Sequence, residues 1–124
     1  MHSFKFSKRS IDNLKGVHPE LVLVASRALM YSSIDFAITD GVRTEEEQKQ
    51  LVAQGKSRTL NSKHLTGDAI DVMAYVDGKG NWTWDLYVDI SESFKKAADE
   101  LGIKIRWGGD WKTFKDGPHF ERAI

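Results

Sequence analysis

The chain has 124 residues, 40% of them hydrophobic, with 18 basic and 18 acidic side chains and no net formal charge. That composition excludes a disordered chain and predicts one globular domain over residues 1–124, monomeric and large enough for its own core. Charge balance gives nucleic acid no global attraction. The absence of cysteine excludes disulfides and thiolate metal sites. No apolar run approaches the roughly 18 residues of a membrane span, and no signal peptide is evident. Membrane insertion is not expected, and synthesis and folding are expected in the cytoplasm.

Ser7 to Leu14 suits a short helix, and Pro19 suits the first turn of a longer one with Leu21, Val24, Ala25, Ala28 and Leu29 on one face. His18 reads as a surface residue. Asp35 to Thr39 alternates and predicts a strand. Thr44 with Glu47 is a capping-box pattern, opening a helix to about Gln54 that stops at Gly55, with Gln48 on its surface. Residues 56–66 read as an exposed loop delivering His64. Gly67 to Tyr75 predicts a strand carrying Asp71, and residues 77–81 a turn. Trp82 and Trp84 read as turn-flanking strand residues. A helix is expected from about Val88 to Leu101, ended by Gly102. Ile103 to Trp107 and Pro118 to Arg122 predict two more strands, the second with His119 and Glu121 on one face and Phe120 on the other. Helices among short strands without βαβ alternation predict an α+β fold, a small, mostly antiparallel sheet with flanking helices.

His64, Asp71 and His119 read as three ligands of a zinc site. Two imidazoles and a carboxylate leave a coordination position for water, as a catalytic site requires. Asp116, three residues before His119, supplies a proton shuttle, and together they point to metal-assisted hydrolysis. Six residues separate His64 from Asp71, a spacing that a solvated loop histidine beside a turn-capping aspartate satisfies equally well. Against that stands Ala69-Ile70-Asp71-Val72-Met73, where a carboxylate inside an apolar strand needs a partner or a metal. Glu121 suits either an acceptor for the second nitrogen of a ligand histidine or an exposed strand end. Asp68 suits a turn or strand edge. Trp107 and Trp111, around Gly108-Gly109-Asp110, suit the core or the wall of a groove.

Ser62-Lys63-His64-Leu65-Thr66-Gly67-Asp68-Ala69-Ile70-Asp71 and Asp116-Gly117-Pro118-His119 resemble the two zinc motifs of the D-alanyl-D-alanine metallopeptidase family. Ser-Phe-Lys-Phe-Ser at 3–7, Gly-Val-Arg-Thr at 41–44 and the run from Leu101 to Trp111 resemble its small phage L-alanyl-D-glutamate endopeptidases. The resemblance implies the zinc fold shared by hedgehog domains and DD-peptidases. It implies zinc on His64, Asp71 and His119, and Asp116 as general base and then acid, an aspartate where VanX-like members use glutamate. It also implies Arg43 beside the substrate as catalytic and binding residue, where the alternative is a solvent-facing arginine near a helix start, and Ser62 as a substrate contact, where the alternative is a turn-forming loop serine. The expected function is that of a phage endolysin acting on the peptidoglycan stem peptide and reaching the wall through a holin-type pore. The alternatives are a D-alanyl-D-alanine carboxypeptidase or dipeptidase, and a non-catalytic zinc module.

Overall fold

The computed structural model describes residues 4–123. Helices begin where the caps stand. In α1 (Lys8–Asn13) the Ser7 hydroxyl accepts from the Ser10 amide, and in α2 (Pro19–Tyr31) His18 Nδ1 accepts from the Glu20 amide at 3.1 Å. His18 is therefore a cap rather than a free surface residue. The helix α3 (Glu45–Ala53) carries the full capping box, with Thr44 Oγ1 accepting from Glu47 N and Glu47 Oε1 from Thr44 N, both at 3.1 Å.

The last helix, α4 (Trp84–Leu101), starts earlier than its expected onset at Val88. Asn81 Oδ1 accepts from Thr83 N at 2.9 Å and turns the chain into the helix one turn sooner. Tyr87 then goes inward, 2% exposed, its hydroxyl donating to Asn81 O at 2.8 Å and accepting from Ala74 N at 3.1 Å. Trp84 is thus the first helical residue, not a strand residue.

Five strands form one sheet: β1 (Asp35–Asp40), β2 (Ala69–Val76), β3 (Lys79–Asn81), β4 (Ile105–Trp107) and β5 (His119–Arg122). Every pairing is antiparallel, in the order β1-β2-β5-β4, with β3 paired to β2. The segment 77–81 is less turn than expected: Asp77 and Gly78, at φ 53° and 76°, make the reversal and β3 returns at once. The outer edge of β1 is covered by α1, where Ser10 Oγ accepts from Ile38 N and Asn13 Nδ2 donates to Ile38 O.

The pleat divides the sheet into two faces. On one, Ile70, Val72 and Ala74 of β2 join Phe120 and the buried stripes of α2 and α4 in a single core, which includes Leu21, Val24, Phe94 and Tyr87. Phe94 and Phe120 stack with ring centroids 3.8 Å apart. On the other face stand Asp71, His119 and Glu121.

Candidate metal centre and catalytic cleft

His64 enters from a short 3-10 turn, Lys63–Thr66. Ser62 Oγ accepts from the His64 amide at 3.2 Å and starts that turn, while Gly67, at φ 77°, ends it. A Cβ on Gly67 would lie 2.5 Å from Gly16 O, so glycine is required there twice over. The exposed loop expected over 56–66 therefore ends in ordered structure, and His64 is 1% exposed. Its Nδ1 lies 2.7 Å from Gly41 O. A carbonyl only accepts, so Nδ1 carries the proton and the Nε2 lone pair faces the site. That Nε2 is buried with no hydrogen-bond partner among the described residues, 3.4 Å from Asp71 Oδ2.

Asp71 and His119 are cross-strand partners of β2 and β5, so sheet register alone brings them together. His119 Nδ1 is 3.2 Å from Asp71 Oδ1, and on its far side Nε2 donates to Glu121 Oε1 at 2.8 Å. Glu121 is buried, and its other oxygen receives Lys63 Nζ at 3.0 Å. It is therefore the acceptor for His119 rather than an exposed strand end, as alternation along β5 allows. One ligand-capable atom from each of His64, Asp71 and His119 lies within 4.8 Å of the others.

Electrostatics bind these groups tightly. Burial alone would raise the Asp71 carboxyl, yet the neighbouring imidazoles, the hydrogen-bonded His119 first, hold it well below the ordinary carboxylate range. Burial works against the His119 cation too, but Asp71 and Glu121 outweigh it and push His119 up to about 9. Asp116, unlike Asp71, moves upward: burial, and then the neighbouring Asp71 charge, raise its carboxyl. A carboxylate of increased proton affinity beside a charge cluster is the pattern of a general base.

Asp116 reaches the site because Gly108 lets its strand-to-strand connection close in. A Cβ on Gly108 would lie 2.3 Å from Asp116 O, and the Asp116 amide donates to Gly108 O at 3.0 Å. The two tryptophans divide. Trp107 packs into the core with Nε1 donating to Gly117 O at 2.6 Å, whereas Trp111 lines the cleft, its ring 5.1 Å from that of His119.

Arg43 follows β1 and its amide donates to His64 O at 3.0 Å. Its guanidinium meets Asp40 Oδ2 through Nε at 2.6 Å, Gln48 Oε1 through Nη1 at 3.1 Å and Asp71 Oδ2 through Nη2 at 3.0 Å. Gln48 is accordingly no surface residue: it is 1% exposed, turned beneath α3 toward Arg43. Helical periodicity in a polar segment gave no sign of this, since its neighbours Lys49 and Gln50 are as polar and are exposed. Asp68 is away from the cluster, bound to Thr66 Oγ1 at 2.6 Å and Arg122 Nε at 2.8 Å. The cleft over the cluster encloses about 860 Å³ and is lined by Arg43, Ser62, Asp116 and Trp111 together with the 56–59 segment.

A buried His–Asp–His cluster with a raised carboxyl beside it, in an open cleft on an antiparallel sheet, has the make-up of a metal-dependent hydrolase site. The comparisons give that class its family. Residues 2–122 match the model of the phage L-alanyl-D-glutamate peptidases. The L-alanyl-D-glutamate peptidase of Escherichia phage T5 is 44% identical, over 92% of this chain and 86% of its own length. Its namesake from Listeria phage A118 is 35% identical, and the peptidoglycan L-alanyl-D-glutamate endopeptidase CwlK of Bacillus subtilis 38% identical. This chain spans only 43% and 60% of those two proteins. The crystal structure of the Serratia marcescens L-Ala D-Glu endopeptidase ChiX superposes with a TM-score of 0.90 at 47% identity, over 96% of this chain and 90% of that one. The chain belongs to the phage L-alanyl-D-glutamate peptidase family, and its fold is the expected α+β one.

Proposed function

We propose that this protein is a peptidoglycan hydrolase that cuts the L-alanyl-D-glutamate bond of the stem peptide, with zinc held by His64, Asp71 and His119. The observation that carries the reading is the convergence of those three side chains around His64 Nε2, a buried nitrogen with no hydrogen-bond partner among the described residues. Two imidazoles and a carboxylate without sulfur fit zinc in a catalytic rather than a closed structural site. Zinc bound there supplies Lewis-acid activation of water and of the scissile carbonyl.

The chain's own groups do the rest. Asp116 takes the proton of the attacking water and returns it to the leaving amine. Of the five N–H donors of Arg43, three are engaged among the described residues, and the two left over hold the carbonyl oxygen as charge develops on it. Ser62 keeps its hydroxyl proton for a substrate acceptor while its oxygen caps the His64 turn. Glu121 keeps His119 Nε2 protonated, so that Nδ1 faces the metal. No helix among the described residues is long and apolar enough to cross a membrane. The protein acts as a monomeric endolysin that reaches the wall through a holin-type pore.

Mass spectrometry of purified peptidoglycan after digestion, with zinc or with chelator, tests this. New L-Ala carboxyl and D-Glu amino ends that disappear with chelator are the expected result. Release of free D-Ala would make it a carboxypeptidase instead, and no cleavage by zinc-loaded protein would make it a non-catalytic zinc module.

A further inference from the structure

We infer that Gln48 is a positioning residue: its side-chain amide holds the Arg43 guanidinium in place beside Asp71 and ties the 57–59 wall of the cleft to the same point. This rests on the proposed reading of Arg43 as the group that meets the substrate. Gln48 is the buried residue of α3 and lies in its polar first two turns, where its neighbours Glu47 and Lys49 are exposed. A buried amide is tolerated when its hydrogen bonds are made, and here they are. Oε1 accepts from Arg43 Nη1 at 3.1 Å, while Nε2 donates to Ser57 Oγ at 2.8 Å and to Thr59 O at 2.7 Å.

The polarity of that arrangement is chemically selective. Arg43 only donates, so an oxygen must face it; the Thr59 carbonyl only accepts, so an N–H must face that side. Glutamate satisfies the first demand and fails the second, lysine does the reverse, and methionine fills the volume while meeting neither. Asp40 and Asp71 hold the Nε and Nη2 corners of the guanidinium; Gln48 holds the third, Nη1. With all three set, the plane of the fork is determined, and with it the direction of its free N–H groups into the cleft. The same amide reaches the segment between α3 and the turn that bears His64, so one side chain sets both a substrate-facing cation and the wall opposite it.

The test uses Gln48→Met, Gln48→Glu, Arg43→Ala and the Gln48→Met/Arg43→Ala pair, each in the full chain. Gln48→Met should fold and bind zinc with wild-type stoichiometry by titration calorimetry. Its kcat should fall roughly tenfold to a hundredfold, as for a displaced positioning group, with KM changing far less. The double variant should be no slower than Arg43→Ala alone, because both changes disable one group. Gln48→Glu, which retains the acceptor for Arg43, should keep more of kcat than Gln48→Met. Limited trypsin digestion without substrate supplies a readout independent of catalysis: cleavage after Lys56 or Arg58 should accelerate in both Gln48 variants, since both lose the N–H that the Thr59 carbonyl accepts. Wild-type kcat and wild-type tryptic stability in folded Gln48→Met, or an additive loss in the double variant, would overturn the inference. If wild-type zinc-loaded protein cleaves no peptidoglycan, the proposed function fails instead, and the tryptic comparison still decides whether Gln48 anchors the wall.

Discussion

His119 faces a carboxylate from each ring nitrogen, and this doubled pairing sets how the centre responds to pH. With its folded pKa raised to about 9 from 6.5, the imidazolium stabilises the metal-free fold fully below 6.5, and that contribution is lost as pH rises through about 9. Zinc must displace the Nδ1 proton, so zinc affinity should strengthen roughly tenfold per pH unit between neutrality and about pH 9. Calorimetry in buffers of different ionisation enthalpy should count about one proton released at neutral pH; a count of zero would mean that Nδ1 of His119 carries no proton in the metal-free protein. His64→Ala and His119→Ala should each lose hydrolysis together with zinc occupancy. Asp116→Asn should separate the two, binding zinc normally while kcat falls by about 10² to 10⁴. A full rate in that variant would move the proton transfer to another group.

At the scale of elements, the site depends on a close approach of backbone at Gly108. Gly108→Ala places a methyl where Asp116 O now stands 2.3 Å away, so the connection bearing Asp116 must shift. We expect a loss of about 1–3 kcal/mol in stability and a fall in kcat larger than any change in zinc affinity; equal losses in both would mean that the whole centre moves. Thr44→Ala removes one arm of the capping box of α3 and should cost about 1 kcal/mol in chemical denaturation with turnover unchanged. The contrast between these two variants separates a cap that makes a helix from a glycine that places Asp116. It also shows what was legible in advance. The capping box, the stripe Leu21 to Leu29 and the alternation of β5 are patterns within a few residues, and each appears in the structure where expected. The onset of α4 was missed because Trp84 and Tyr87 look like strand residues until the Asn81 turn and the core beneath the β2–β3 hairpin are in view.

For the molecule as a whole, the three proposed ligands come from a 3-10 turn, a central strand and a strand near the sheet's far edge, so a bound metal would link distant parts of the chain. If zinc binds only the folded state, as proposed, then at a free concentration one hundred times its dissociation constant it should add about 2.7 kcal/mol of stability. Differential scanning calorimetry with and without chelator should show the shift, and an unchanged melting temperature in the presence of excess zinc would argue against a site at these residues. Sequence alone pointed to His64, Asp71 and His119 as candidate ligands and determined the helix caps and the inward and outward faces of the strands, because each of these follows from local periodicity or from the chemistry of a side chain. Tertiary structure decided the rest. The registry of β2 against β5 set Asp71 beside His119, the Gly41 carbonyl chose the tautomer of His64, and a folded-over cleft wall made Gln48 a buried partner of Arg43. Those outcomes depend on atoms far apart in the chain, and no pattern within a single element encodes the distance between them.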